Sequence, residues 1–73
     1  MTIEEKFGNK VRELRLKQDI SQEELAFRSG LSKNYISDTE RGKRNISLKA
    51  IEKIAHGFNV SEKELFAFNY RGE

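Results

Sequence analysis

Residues 21–45, SQEELAFRSGLSKNYISDTERGKRN, constrain the fold of this chain more than any other stretch. Ser21 followed three positions later by Glu24 has the capping-box spacing that opens a helix, because each side chain satisfies an orphan backbone N–H. Leu25 and Ala26 then point inward. Gly30 stands where the chain needs positive φ or a close backbone approach. Leu31 plugs the turn, Ser32 caps a second short helix, and Ile36 anchors that helix to a core. The order is helix, sharp turn, helix, basic loop. Between the anchors, Lys33, Asn34, Tyr35, Ser37 and Asp38 face outward as a row of hydrogen-bonding side chains on one helix.

The rest of the chain extends the helical pattern. Thr2 and Glu5 form another capping box, and Ile3, Phe7, Val11 and Leu14 recur at spacings of four, four and three as one apolar stripe. This predicts a first helix from Ile3 to about Gln18, with Ile20 plugging the turn into a second helix over about Gln22–Ser29. A third is expected from about Lys33 to Arg41, stopped by Gly42. A fourth starts after Ser47, carries Leu48, Ile51, Ile54 and Ala55 inward, and ends near Gly57. A fifth opens on a capping box at Ser61 and Glu64 and continues through Leu65 and Phe66 to about Asn69. No alternating apolar run is long enough to argue for a strand. The expectation is an all-α, compact five-helix domain spanning residues 1–73, with the helix-turn-helix at about 22–41. At 73 residues the core is near the lower limit for folding alone, and no room is left for a second domain.

A row of donors and acceptors on one short helix suits the edges of bases in a major groove, and the first turn of such a helix sits closest to them. Lys33 can donate to guanine and Asn34 can pair bidentately with adenine. Tyr35 offers a ring edge and a hydroxyl, and Ser37 follows a turn later. Asp38 accepts from cytosine or repels a wrong base. The plain alternative is a solvated face with Ser32 and Asn34 as caps. Net charge is only +2, but Lys33, Arg41, Lys43 and Arg44 cluster around the helix and its exit. Lys43, Arg44 and Asn45 are expected along a phosphate backbone, contacts that fix register without carrying sequence information.

The segment resembles the helix-turn-helix of the XRE family, the group of lambdoid phage repressors and Cro proteins. Gln22, Leu25, Ala26, Gly30, Leu31, Ser32, Ile36, Glu40 and Gly42 carry the likeness, which covers nearly the whole chain. Within that family the run YISDTERGKRNISL resembles the small controller proteins of restriction–modification systems. The resemblance implies a lambda-repressor-like fold and a transcription regulator that binds double-stranded DNA as a homodimer on a palindromic operator. It implies that Gln22 touches a phosphate, where a helix N-terminus already favours an anion. It also implies that Arg15 and Glu40 form a partly buried ion pair holding the reading helix at its angle. A dimer seam is expected on Leu65, Phe66, Phe68 and Tyr70, since the last helix holds more aromatic content than one small core easily absorbs. The alternative is that all four close the bundle. Two departures from the family pattern stand out. Ser29 and Thr39 occupy positions that are more often apolar, and both tolerate burial if hydrogen-bonded.

Composition narrows the function classes. The chain has no cysteine, so disulfides and thiolate-bound zinc are excluded, as fits a reducing cytoplasm. The start, MTIEEK, has no apolar run, so neither a secretory signal nor a membrane span is expected. His56 is the single histidine and lies at a helix end, where a polar group needs no further explanation. Glu23 with Glu24, and Glu62 with Glu64, sit at helix starts without a neighbouring nucleophile. No catalytic group, metal, cofactor or small-molecule ligand is expected. RNA polymerase is an expected partner if the regulator works from a promoter. The competing readings are a phage-type or chromosomal repressor and an antitoxin-like module holding a partner protein, with Phe27 as its exposed contact.

Overall fold

The computed structural model describes residues 1–68. The elements are α1 (Ile3–Lys17), α2 (Gln22–Ser29), α3 (Lys33–Glu40), α4 (Leu48–Phe58) and a 3₁₀ helix (Glu62–Phe66). The expected fifth α-helix is therefore a single 3₁₀ segment, and the Asn69 expected to end it lies outside the described residues. Its predicted capping box is absent: Ser61 makes no side-chain cap bond, so the backbone closes on i→i+3 bonds such as Glu64 N–H to the Ser61 carbonyl, 3.0 Å.

Each α-helix begins on a hydroxyl. Thr2, Ser21, Ser32 and Ser47 accept from the backbone N–H of Glu5, Glu24, Tyr35 and Ala50. Only Thr2 and Glu5 complete the reciprocal box. Glu24 turns away from Ser21 and accepts from Arg28 Nε at 2.8 Å, so the expected box at α2 is half formed. Each α-helix also ends on a left-handed residue: Asp19, Gly30, Gly42 and Asn59, with φ of 57°, 69°, 71° and 60°. The residue after each returns its N–H to the last turn, as in Ile20 to Arg15, Leu31 to Ala26, Lys43 to Asp38 and Val60 to Ala55. Ile20, Leu31 and Val60 pack against the core as plugs. Lys43 is exposed, so the chain leaves α3 toward solvent.

The core joins Phe7, Val11 and Leu14 of α1 to Leu25, Ala26, Ile36, Ile54, Ala55, Phe58 and Leu65. Two residues of the expected stripes fall outside it. Ile3 is 56% and Leu48 84% exposed. Both open their helices, and side chains lean toward the helix N-terminus, so each overshoots the end of the core. Phe58, at 2% exposure, takes the central place instead. Leu65 is fully buried in the chain's own core, which removes it from the expected seam.

α3 crosses α1 at Gly8, where a Cβ would stand 2.2 Å from the Thr39 carbonyl oxygen and 2.8 Å from that of Glu40. The backbones of α1 and α3 thus meet almost directly at the last turn of α3. Thr39 is buried, and its hydroxyl donates to the Tyr35 carbonyl at 2.7 Å. Ser29 is also buried, yet its Oγ has no hydrogen-bond partner among the described residues. Thr39 therefore meets the condition for a polar group at an apolar position, and Ser29 does not.

Candidate nucleic-acid interface

α3 presents one covered and one open face. Ile36, Thr39 and Glu40 are buried, Lys33 and Asn34 are exposed, and Tyr35, Ser37 and Asp38 are half-buried. The open row begins on the Ser32 cap, whose hydroxyl accepts from Tyr35 N–H at 3.0 Å. Lys33, Asn34 and Tyr35 are accordingly the first three residues of the helix, and Ser37 continues their side one turn on.

Arg15 and Glu40 form the pair the resemblance implies. Arg15 Nε and Nη2 donate to Glu40 Oε2 and Oε1 at 2.7 and 3.1 Å, a bidentate fork. The side chains are 13% and 5% exposed. Arg15 Nη1 also donates to the Ile20 carbonyl at 3.0 Å, tying the pair to the plug before α2. The hydrogen bond to Glu40 holds the guanidinium above its ordinary pKa; burial opposes this and the Glu40 charge adds to it. Gln22 joins the network: its Nε2 donates to Glu40 Oε1 at 3.1 Å. One amide hydrogen and the carbonyl oxygen of Gln22 stay available for a further partner.

The basic rim is organised rather than loose. Arg41 Nη2 donates to Asp38 Oδ1 at 2.8 Å, and Arg44 Nε lies 3.7 Å from Asp38 Oδ2. The Arg44 guanidinium stands 4.2 Å from the centroid of the Tyr35 ring. Asp38, read as a base contact, is thus occupied by two arginines in the free chain. The i,i+3 spacing of Asp38 and Arg41 is a signal for this pairing that the sequence carries. Lys43 and Arg44 are exposed beside α3. Asn45 is exposed too, and borders a shallow hollow lined by Ile3, Phe7, Ile46, Ile51 and Phe66.

That hollow continues into a second, lined by Leu48, Ile51 and Phe66 among charged neighbours. Phe66 is 38% exposed and packs on Phe7 with ring centroids 5.3 Å apart, and on Phe68 at 6.1 Å. Ile3, Phe66, Ile51 and Leu48 therefore line the two hollows as one apolar strip. Tyr70 of the expected seam lies outside the described residues. Among the described residues no group of three or more His, Asp or Glu is placed to hold a metal, and no helix is long and apolar enough to cross a membrane.

Three comparisons bear on this arrangement. A family model described as helix-turn-helix matches residues 11–65. Control protein C.BamHI of Bacillus amyloliquefaciens is 52% identical over 67 residues, 90% of this chain and 83% of that protein. Control protein C.MunI of a Mycoplasma species is 46% identical over 66 residues, 89% of each. Among solved structures, the restriction–modification controller protein C.AhdI from Aeromonas hydrophila superposes with a TM-score of 0.85 at 48% identity. It covers 86% of this chain and 96% of its own.

Proposed function

The chain belongs to the XRE-type helix-turn-helix family and is a regulator of the restriction–modification controller type, and we propose that it acts as a homodimer on a palindromic operator. The observation that carries this reading is the open row of α3, Lys33 to Asp38, flanked by Arg41, Lys43 and Arg44 while the only buried carboxylate on the helix is neutralised by Arg15. In it, Lys33, Asn34, Tyr35 and Ser37 read base edges, and Gln22, Lys43, Arg44 and Asn45 hold phosphates.

The apolar strip supports the dimer. Burying Leu48 alone against a partner is favourable by about 1.5–3 kcal/mol. We assign the seam to Leu48, Ile51, Phe66 and Phe68, with Ile3 at its edge. A two-fold axis there carries the second α3 to the next major groove, about 34 Å away. Bound over a promoter, such a dimer blocks RNA polymerase; bound just upstream, it touches polymerase. The protein then works in the cytoplasm, on promoters that carry or adjoin such an operator.

Selection of random duplexes by the purified protein at near-physiological salt tests this. A palindrome with half-sites about one helical turn apart is the expected product. Recovery of no motif, with only weak salt-sensitive binding, refutes it. That outcome favours a partner-binding module, for which Phe27, 83% exposed on α2, is the contact.

A further inference from the structure

The open face of α3 carries a chain of contacts in the order Arg41, Asp38, Arg44, Tyr35. Tyr35 and Asp38 are three residues apart and share a face of the helix. Arg44 is six residues beyond Asp38 and would point elsewhere had the helix continued. The left-handed Gly42, φ 71°, and the return bond from Lys43 N–H to the Asp38 carbonyl at 2.9 Å fold the chain back so that Arg44 reaches both.

We propose that Asp38 is a positioning residue of the reading surface. Its carboxylate orients Arg41 and holds Arg44 over the Tyr35 ring, so that the ring presented to a base and the guanidinium presented to a phosphate are set as one unit. The same charge restrains attraction to DNA of any sequence. This rests on the duplex-binding reading above and deepens it.

Three considerations carry the inference. An unpaired carboxylate pushed into a groove between two phosphate backbones would be repelled, and here each oxygen already faces an arginine. Side-chain exposures of 33% for Asp38, 60% for Arg41 and 42% for Arg44 place the cluster where ion pairs contribute little to folding. Orientation is then what the contacts supply. A planar guanidinium stacked on an aromatic face keeps its outer N–H groups free for a phosphate, which an ammonium in the same place does less well.

The test combines one measurement on the free protein with one on the complex. In the free protein, NMR is expected to show the Arg44 δ-methylene protons shifted upfield by the Tyr35 ring, and Asp38→Asn should return them toward ordinary values. Anisotropy titrations then compare the duplex recovered by selection with a random duplex across salt concentrations. Asp38→Asn should tighten binding to the random duplex, and steepen its log–log salt dependence by about 0.9, the equivalent of one more phosphate contact. Discrimination in favour of the selected duplex should fall by about tenfold, the scale of one lost base contact. Asp38→Glu should restore part of each effect. Arg44→Lys keeps the charge and loses the stack, so it should lower discrimination with the salt slope unchanged.

An unmoved Arg44 shift in Asp38→Asn overturns the proposal. So does a loss confined to one base pair with the random duplex unaffected, because that marks Asp38 as a direct base contact. A parent that binds no duplex while Arg44 is ring-shifted overturns the duplex reading and this role with it. A parent that binds its selected duplex with an ordinary Arg44 shift overturns the cluster alone.

Discussion

Replacing Gly8 with alanine separates what helix propensity expects from what the crossing of α1 and α3 allows. Gly8 sits inside a fifteen-residue helix, and glycine there is less favourable than alanine by about 0.5–1 kcal/mol. Propensity alone makes Gly8→Ala stabilising. The added Cβ, however, would lie 2.2 Å from the Thr39 carbonyl oxygen and 2.8 Å from that of Glu40, against about 3.3–3.6 Å for a close C···O contact. Both obstacles are backbone atoms, so no rotamer relieves them and α3 must move outward by about 1 Å. That displacement pulls Glu40 from Arg15 as well, because the fork is anchored on α1. Overpacking of this kind costs about 1–3 kcal/mol, occasionally more. Because the obstacles are backbone and the fork is strained as well, the upper end of that range applies, and against the propensity gain we expect a net loss of about 2 kcal/mol. For a domain of this length that lowers Tm by about 8–16 °C, read by circular dichroism with a matching fall in the urea midpoint. Duplex affinity should fall further than the folded fraction does, since α3, the proposed reading helix, is the part displaced. A Gly8→Ala protein that melts at or above the parent refutes the reasoning.

The other predictions concern the ion pair, the buried hydroxyl and the apolar strip. Arg15→Ala strands Glu40 and should cost about 3–5 kcal/mol; Arg15→Met combined with Glu40→Leu should recover most of it in urea titrations. Melting like the parent in Arg15→Ala would contradict this. Ser29→Ala removes a buried hydroxyl with no partner among the described residues and should stabilise by about 1–2 kcal/mol; a lowered Tm would show that the hydroxyl is satisfied. Gly57→Ala should be costly in the parent, where its Cβ would meet Ser29 Oγ at 2.5 Å, and much less so beside Ser29→Ala. Strictly additive effects would sink that coupling. Leu48→Glu should leave a folded chain that sediments as a monomer where the parent sediments as a dimer, and an unchanged dimer would move the seam elsewhere.

Much of the fold was legible because its signals are local. Hydroxyl caps at Thr2, Ser21, Ser32 and Ser47, and the glycine stops at Gly30 and Gly42, depend on neighbours within four residues. The left-handed stops at Asp19 and Asn59 were not legible in the same way, because those residues are equally at home in other turns. Apolar periodicity identified the inward faces but not where a helix overhangs its core, so Ile3 and Leu48 read as buried. The short last element read as an α-helix because Ser61 and Glu64 have box spacing, while what shapes it is the placement of Leu65 in the core. At the interface, the residues on the open row followed from the anchors around them. The links from Gln22 to Glu40 and from Arg44 to Tyr35 did not, because they join residues 18 and 9 positions apart through a turn whose path only the folded chain defines.

α2 and α3 are eight residues each, well below the roughly 12–15 at which an isolated helix becomes marginal in water. Neither persists without the core, so the surface proposed to read DNA has no existence apart from the folded domain. Amide exchange in α3 should therefore report opening of the whole molecule rather than local fraying. In a cell the same event that ends binding exposes the entire chain to proteases. Occupancy and lifetime of this regulator then both draw on the folding free energy, and a substitution in Phe58 or Leu65, buried in the core, lowers the two together.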